Sequence, residues 1–535
     1  LLSQAWQGIR HLKNLLKKLH KNKNYLFVLV VALTGFAFYQ RTTFLSILAS
    51  LLSLSLPMCL FRDLGLKSKF FKYLSLFLVL YLFNVSWLRA NTYHGNAIYL
   101  AYIFSVLLFS VSIALIFTFI LEDEFSLINA LAVASLVALT EWSRLFYFSG
   151  FPFAVLGTIL DFHPYFTQTA SVFGVFFLTF VWVFFSYLLS FRRFQSAAIL
   201  SLTLFVFGFL RIYNLENSEQ KTNLNVALVQ TGFLVEEKWR FDNQLDKYIN
   251  PTKQWQTIFK LLENEKKESF DLIVLPEVAL SGSADNEKLV EDKGSTCSHL
   301  DMARRLSNKY QSDVLIGLIH EDLDQAHNSA FFLQKNSEVI ERYDKQVLVP
   351  MSEYLPVKFF SSFLEKYGIK SFFSKGDTYK LMKSKKLFSP SICYEEGFND
   401  LIRKARLNGA KFFVNLTNDA WFPNSILNEE HNILGKMRAV ENGVFVFRTC
   451  NNGITSVIDP FGREIKRLKD KDHNEGFFKA VLSLDVGVFD LQTLFSRFGN
   501  MPILFLSSLN LILNFLIKRK SFSRVLSSFS KASRS

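Results

Sequence analysis

Two apolar blocks bracket one block of ordinary sequence, and this alternation limits the folds open to the chain. From residue 25 to about 213 the 535-residue sequence is a series of apolar runs. A helix needs about 20 apolar residues to cross a ~30 Å hydrocarbon core. Candidate spans lie near 25–40, 43–61, 70–88, 97–121, 126–147, 166–190 and 195–213, with an eighth, PILFLSSLNLILNFLI, at 502–517. Between the seventh and eighth lie about 285 residues of soluble composition. Half of the chain is apolar, Phe alone occurs 59 times and charged residues make up 20%. A polytopic helical membrane domain of about eight spans with one large extramembrane domain is expected.

The charge supports this reading once it is located. Residues 1–24 carry six Lys/Arg and no acid, residues 518–535 carry six more, and together they account for twelve of the net +14. The nearly neutral interior argues against a nucleic-acid protein with a basic face. Basic residues mark the inner ends of spans. Arg62, Lys67, Lys69 and Lys72 follow the second span, Arg192 and Arg193 the sixth, and Lys518, Arg519 and Lys520 the eighth. This assigns both termini to the cytoplasm and the large domain to the outer side. The expected organisation is a basic segment (1–24), a membrane domain (25–213), an outer domain (214–500), a final span (501–517) and a basic tail (518–535). Residues 1–19 also place apolar side chains at helical spacing opposite a basic face, which suits a helix on an anionic leaflet; a frayed tail fits equally well.

The outer domain alternates strand-like and helix-like segments. Strands are expected at 225–231, 270–277, 313–319, 328–334, 387–394, 411–417, 444–449 and 455–460, and helices at 252–266, 299–311, 397–408 and 428–442. Such alternation predicts an α/β layered domain. Within it a few residues could carry chemistry. Cys393 ends the strand-like FSPSIC; a cysteine there is most often a small buried residue, and only its surroundings could make it reactive. Glu277 follows LIVLP, where a carboxylate at a buried strand end can act as a general base, although such a residue is more often solvated. Lys345, in ERYDKQVLVP, could stabilise an oxyanion or simply be solvated beside Asp344. Glu353 sits between two prolines in an irregular segment. None of the nine His falls in a papain-like or metal-binding arrangement, so His299, His320 and His431 read as surface or packed residues.

These segments occur in an order: LPE, DKQVLVP..EYLP, SICYE, NLTNDAWF, MRAVENG, NNGIT, DPFGRE. The series resembles the carbon–nitrogen hydrolase (nitrilase) superfamily. The apolar N-terminal region, the closing span, and the segments NVSWLRANTYHG (84–95) and TEWSRLFYFSGFPF (140–153) resemble the apolipoprotein N-acyltransferase family within it. The resemblance covers about residues 25–517. It implies a nitrilase-like four-layer α-β-β-α sandwich in the periplasm of a bacterial inner-membrane protein, expected to be a monomer, with no cofactor and no metal. It implies Glu277 as base, Lys345 as oxyanion stabiliser and Cys393 as nucleophile. Glu353, Tyr394 and Glu395 would support the site, and Trp239 and Trp421 would bind substrate. The implied reaction passes an acyl chain from a membrane phospholipid, through a Cys393 thioester, to the α-amine of a diacylglyceryl-cysteine on an apolipoprotein. A membrane-anchored amidase or hydrolase with the same triad, and a transporter with an inactive outer domain, are the alternatives.

The sequence departs from the family at several points. PMS before Glu353 lacks a usual Gly, Pro423 stands where Gly is common, and Cys450 replaces a small residue. Cys297 and Cys450 could pair in an oxidising compartment.

Overall fold

A computed structural model describes residues 23–532 except 40–43, 92–96, 148, 217–219, 241–244, 287–288, 293–294, 323–324, 351, 355–372 and 470–477. The amphipathic segment 1–19 and the Met351 of PMS lie outside the described residues.

Every apolar run folds as helix: α1 (Lys23–Tyr39), α2 (Phe44–Leu60), α3 (Leu66–Asn84), α4 (Ala97–Phe119), α5 (Leu127–Ser143), α6 (Val175–Ser190), α7 (Phe194–Leu215) and a last helix, Met501–Ala532. The expected eight crossings are matched only in part. Among the described residues three stretches are long and apolar enough to span alone: Ile98–Phe119, Phe194–Leu215 and Met501–Arg519. Helices α1, α2 and α5 have 17 residues each, about 25 Å at ~1.5 Å per residue. Helix α3 carries three lysines, Lys67, Lys69 and Lys72. The sixth expected span is not one straight helix. Pro164–Phe173 and α6 meet at a 120° bend, and counting them as one span raises the total to four. Gly174 makes the bend at φ +81°, and a Cβ there would lie 2.7 Å from the Phe495 ring.

Charge collects at one end of this bundle. Lys69 pairs with Asp123 at 2.6 Å and Lys518 with Glu122 at 2.9 Å. Arg62 donates to the Ser190 carbonyl at 2.7 Å and lies over Phe191, while Arg193 lies over Phe125. Residues that the charge pattern assigned to one side therefore come together in space. Nearer the other end, Glu141 and Arg144 are buried 3.7 Å apart. Both have local partners. The Glu141 carboxylate accepts from the Leu156 N–H and the Thr179 hydroxyl, and Arg144 donates to the Ala154 carbonyl. Together they pin the segment 154–156.

The large domain is built from two six-stranded sheets. The first comprises β1 (Thr222–Gln230), β2 (Leu272–Val274), β5 (Asp313–Asp322), β6 (Gln325–Leu333), β7 (Ile340–Asp344) and β14 (Ala480–Val488), in the order β14-β1-β2-β5-β6-β7. A small hairpin, β3 (Val290–Asp292) and β4 (Ser295–Cys297), lies beside it in sequence. The second comprises β8 (Met382–Lys383), β9 (Leu387–Ile392), β10 (Phe412–Thr417), β11 (Phe445–Cys450), β12 (Ser456–Ile458) and β13 (Glu464–Arg467), in reverse order from β13 to β8. Strands β1-β2-β5 and β9-β10-β11 are parallel, and antiparallel strands flank each set.

Side chains alternate faces along a strand, so a strand buried on both sides reads as a continuous apolar run. Leu272 and Val274 point into a core shared with Phe388, Phe412, Val414 and Phe447 of the second sheet. Ile273 and Leu275 point the other way, onto Trp255, Ile258 and Leu306. Those belong to helices α9 (Pro251–Glu263) and α10 (His299–Tyr310); the one-turn α8 (Val235–Lys238) precedes them. Helices α11 (Asn399–Leu407) and α12 (Leu427–Asn442) cover the outside of the second sheet through Ile402, Ala405 and Ala439 against Phe413 and Val446. The result is the expected α-β-β-α sandwich. All four cysteines are free. Cys297 lies in the outer layer of the first sheet and Cys450 ends a strand of the second, so the considered disulfide does not form.

Phe447 is fully buried between the sheets, edge-on to Phe412 at 5.4 Å. Phe447→Ala is expected to destabilise the protein by about 3–5 kcal/mol, read by chemical denaturation of the detergent-solubilised chain.

Candidate active site

The first sheet supplies a compact cluster of charge. Glu277 lies just beyond β2, where its chain still runs along β5: the Ala279 N–H donates to the Gly317 carbonyl at 2.8 Å. The approach is close enough to demand glycine, because a Cβ on Gly317 would lie 2.5 Å from the Pro276 oxygen and 2.8 Å from the Glu277 Cα. Lys345 follows β7 directly, and its N–H donates to the Asn328 carbonyl on β6 at 2.9 Å. Glu353 closes a turn in which the Val349 N–H donates to its carboxylate and its own N–H donates to the Val349 carbonyl, both at 2.9 Å.

Their side chains converge. The Lys345 Nζ lies 3.1 Å from Glu277 Oε1 and 2.9 Å from Glu353 Oε1. The Asn328 amide donates to the same two oxygens at 2.8 and 3.1 Å. All four residues are buried. Burial alone would push the Lys345 ammonium down, but the Glu277 and Glu353 carboxylates reverse this and hold it well above the usual lysine range. Lys345 therefore stays a cation.

The second sheet supplies the thiol. Cys393 leaves β9 at φ +51°, a left-handed conformation unfavourable for a residue with a Cβ. Glu395 holds this corner. Its fully buried carboxylate accepts from the Ile392 N–H (2.7 Å), the Gln346 N–H (2.6 Å), the Val347 N–H (3.2 Å) and the Tyr343 hydroxyl (2.8 Å). Burial raises its pKa, and these donors oppose the rise. The Cys393 thiol is raised well above its ordinary value, first by burial and then by the Glu277 anion, with Lys345 acting in the other direction. Glu277 and Lys345 thus both act on the sulfur's charge.

Tyr394 turns toward the membrane half. Its hydroxyl donates to the Gly150 carbonyl at 2.6 Å, and its ring meets Phe153 at 5.8 Å. The loop after β10 makes a second contact there, Phe422 standing edge-on to Trp87 at 5.1 Å. Trp239 is 37% exposed and so is no core residue. It follows Lys238, whose Nζ donates to the Val278 carbonyl at 2.7 Å, one residue past Glu277. Burial pushes Lys238 down to about 8, against the pull of Glu277. Trp421 is half-buried at the end of the short helix Asp419–Trp421.

The structure thus joins Glu277, Lys345 and Glu353 in one buried cluster with Cys393 in its electrostatic reach, makes Glu395 a scaffold, aims Tyr394 at the membrane half and leaves Trp239 next in sequence to the lysine that bonds the Glu277 loop. Asn328 and His431 carry no signal in the sequence. Asn328 could have been found only from the β6–β7 register. His431, expected to be a surface or packed residue, is buried beside the nucleophile: its Nε2 lies 3.0 Å from the Cys393 carbonyl and its Nδ1 3.1 Å from Asp419 Oδ1.

Comparison with known proteins bears on the fold as a whole. The model of the carbon–nitrogen hydrolases matches residues 225–483, and that of the apolipoprotein N-acyltransferase N-terminal domain matches residues 25–188. The apolipoprotein N-acyltransferase of Haemophilus ducreyi is 31% identical over 410 residues, covering 72% of this chain and 75% of that protein. The chain belongs to the apolipoprotein N-acyltransferase family. Two further members of the family extend the match. That of Haemophilus influenzae is 28% identical over 546 residues, 94% of this chain and 97% of its own length. That of Chlamydia caviae is 29% identical over 468 residues, 80% and 84%. The paired matches join an apolar helical domain to a carbon–nitrogen hydrolase domain, as the fold does.

The raised thiol gives a pH prediction. Cys393 should stay protonated through neutral pH, so its alkylation by iodoacetamide should rise only above the ordinary thiol range. Glu277→Gln removes the raising anion and should move the midpoint of that profile down. An unchanged or higher midpoint would show that Glu277 does not act on the sulfur.

Proposed function

We propose that this protein is a phospholipid-dependent apolipoprotein N-acyltransferase working through a Cys393 thioester. The observation that carries the reading is the junction: the residue after Cys393, Tyr394, is bonded to Gly150 of the membrane half, while the thiol stays within electrostatic reach of the Glu277–Lys345 pair. A soluble hydrolase has no need of such a junction. Two lipid substrates do, because withdrawing acyl chains from a bilayer costs about 0.8 kcal/mol per CH₂.

In the first half-reaction Glu277 takes the thiol proton as sulfur attacks an ester carbonyl of the phospholipid. Lys345 and the Tyr394 N–H stabilise the oxyanion. The C–O bond breaks, the lysophospholipid alkoxide recovers the proton from Glu277, and the acyl chain remains on sulfur. In the second half-reaction the α-amine of a diacylglyceryl-cysteine attacks the thioester, Glu277 takes the amine proton, and the released thiolate recovers it. The family's name supports the acceptor class, and a resting neutral thiol under the influence of the Glu277 carboxylate suits a base that works on attack. Glu353 holds Lys345 in place. Trp239, next in sequence to the lysine that bonds the Glu277 loop, and Trp421 are read as substrate contacts. The eight apolar helices embed the protein in the bacterial inner membrane, with the sandwich in the periplasm and both termini in the cytoplasm.

Intact-protein mass spectrometry after incubation with phospholipid and no acceptor tests the chemistry. The wild type should gain a hydroxylamine-sensitive acyl adduct, Cys393→Ala should gain none, and a diacylated lipopeptide should discharge the adduct. Glu277→Gln should form it at least 100-fold more slowly. Discharge to water alone, with no N-acylated lipopeptide, would favour a hydrolase. A reporter fused near residue 300 should give a periplasmic signal, and a cytoplasmic signal would reverse the topology.

A further inference from the structure

His431 is buried on α12 within reach of the nucleophile. Cys393 Sγ, a ring nitrogen of His431 and an Asp419 oxygen lie within 4.8 Å of one another. A histidine so near a thiol suggests a base. Its contacts point elsewhere. Nε2 is 3.0 Å from the Cys393 carbonyl oxygen, and Nδ1 is 3.1 Å from Asp419. A carbonyl oxygen only accepts, so Nε2 carries a hydrogen and donates it there. Nδ1 is occupied by Asp419. Neither nitrogen is left to take the thiol proton.

The same carbonyl has a second donor. Asn415 on β10 points its amide at the Cys393 oxygen at 3.4 Å and at the Ser391 hydroxyl at 3.1 Å. The His431 ring is itself held. Asp419 fixes one edge, Glu396 approaches Nε2 to 3.7 Å while paired with Arg448 at 2.8 Å, and Phe153 of the membrane half packs against the ring at 5.8 Å and 81°.

The peptide joining Cys393 to Tyr394 is planar and trans, so its C=O and N–H point in opposite directions. Donors that hold the carbonyl therefore set the aim of the Tyr394 N–H. Cys393 itself sits at φ +51°, a strained conformation for a non-glycine residue that persists only where the surroundings over-determine the backbone, and these donors are part of those surroundings. We propose that His431, with Asn415, is a positioning residue that locks the Cys393–Tyr394 peptide so that the Tyr394 N–H faces the oxyanion. The inference rests on the thioester reading above but not on the identity of the acyl donor.

The test uses the full-length protein in detergent and p-nitrophenyl butyrate, an activated ester that acylates a competent Cys393 without phospholipid. Failure of the phospholipid reading therefore leaves this measurement intact. The p-nitrophenol burst reads acylation, and iodoacetamide alkylation reads the thiol alone. His431→Leu should slow the burst about 30- to 100-fold, as loss of an oxyanion donor does, with KM and the alkylation rate within about threefold of wild type. His431→Gln, whose amide can replace Nε2–H, should recover at least a third of the lost rate on a logarithmic scale. Asn415→Ala should show a smaller burst defect with the same unchanged alkylation, and it serves if His431→Leu does not fold. A wild-type burst in the variant that folds would overturn the proposal. So would a Gln variant no better than Leu, or alkylation falling in step with acylation.

Discussion

The Lys345 ammonium lies 3.1 Å from Glu277 and 2.9 Å from Glu353, and all three side chains are buried. Two carboxylates brought this close out of water repel each other, and each buried ion costs several kcal/mol unless it is paired and hydrogen-bonded. One cation and the Asn328 amide satisfy both. The three residues come from the end of β2, the end of β7 and a turn beyond it, so their pairing ties together segments that only the β2-β5-β6-β7 order brings near. Removing Lys345 would leave two facing anions beside a thiol that burial already keeps neutral.

Glu395 links that cluster to the second sheet. It accepts from Ile392 on β9 and from Tyr343, Gln346 and Val347 at the exit of the first sheet. One carboxylate thus fixes the corner on which Cys393 turns and the segment that carries Lys345. The thiol and the charged pair belong to different sheets, and this shared acceptor sets their separation.

The membrane half is built into the same assembly. The bend at Gly174 exposes the Val175 N–H, which donates to Glu441 of α12 at 2.8 Å. Gln168 donates to the Phe461 carbonyl at 2.9 Å, and Lys436 pairs with Asp161 at 2.9 Å. Glu141 and Arg144 pin residues 154–156, next to Phe153, which packs against both Tyr394 and His431. A chain of packed and hydrogen-bonded groups thus runs from buried charges among the apolar helices to the two residues that flank the nucleophile's peptide.

Local pattern made much of this legible. The apolar runs located all eight apolar helices, and strand-like runs such as DLIVLP and KFFVNLT located the two cores, because a doubly covered strand must be apolar on both faces. Ordered motifs singled out Glu277, Lys345, Glu353 and Cys393. Strands β7 and β14 escaped notice: Glu341, Arg342 and Asp344 make β7 polar, and Ser483, Asp485 and Gly487 interrupt the apolar run of β14. The bend in the sixth apolar run was not foreseen, because Gly174 turns the chain against Phe495, a contact made 321 residues away in sequence. Asn328 and His431 were invisible for a related reason: each acts through a partner set by sheet register or by the docking of α12. By itself the sequence determined where the chain is apolar, where it alternates and which reactive residues it holds, since these are properties of neighbouring residues. Only the tertiary structure decided which charges meet, which carbonyl each donor holds and which membrane segment faces the thiol, because those interactions join residues tens to hundreds of positions apart.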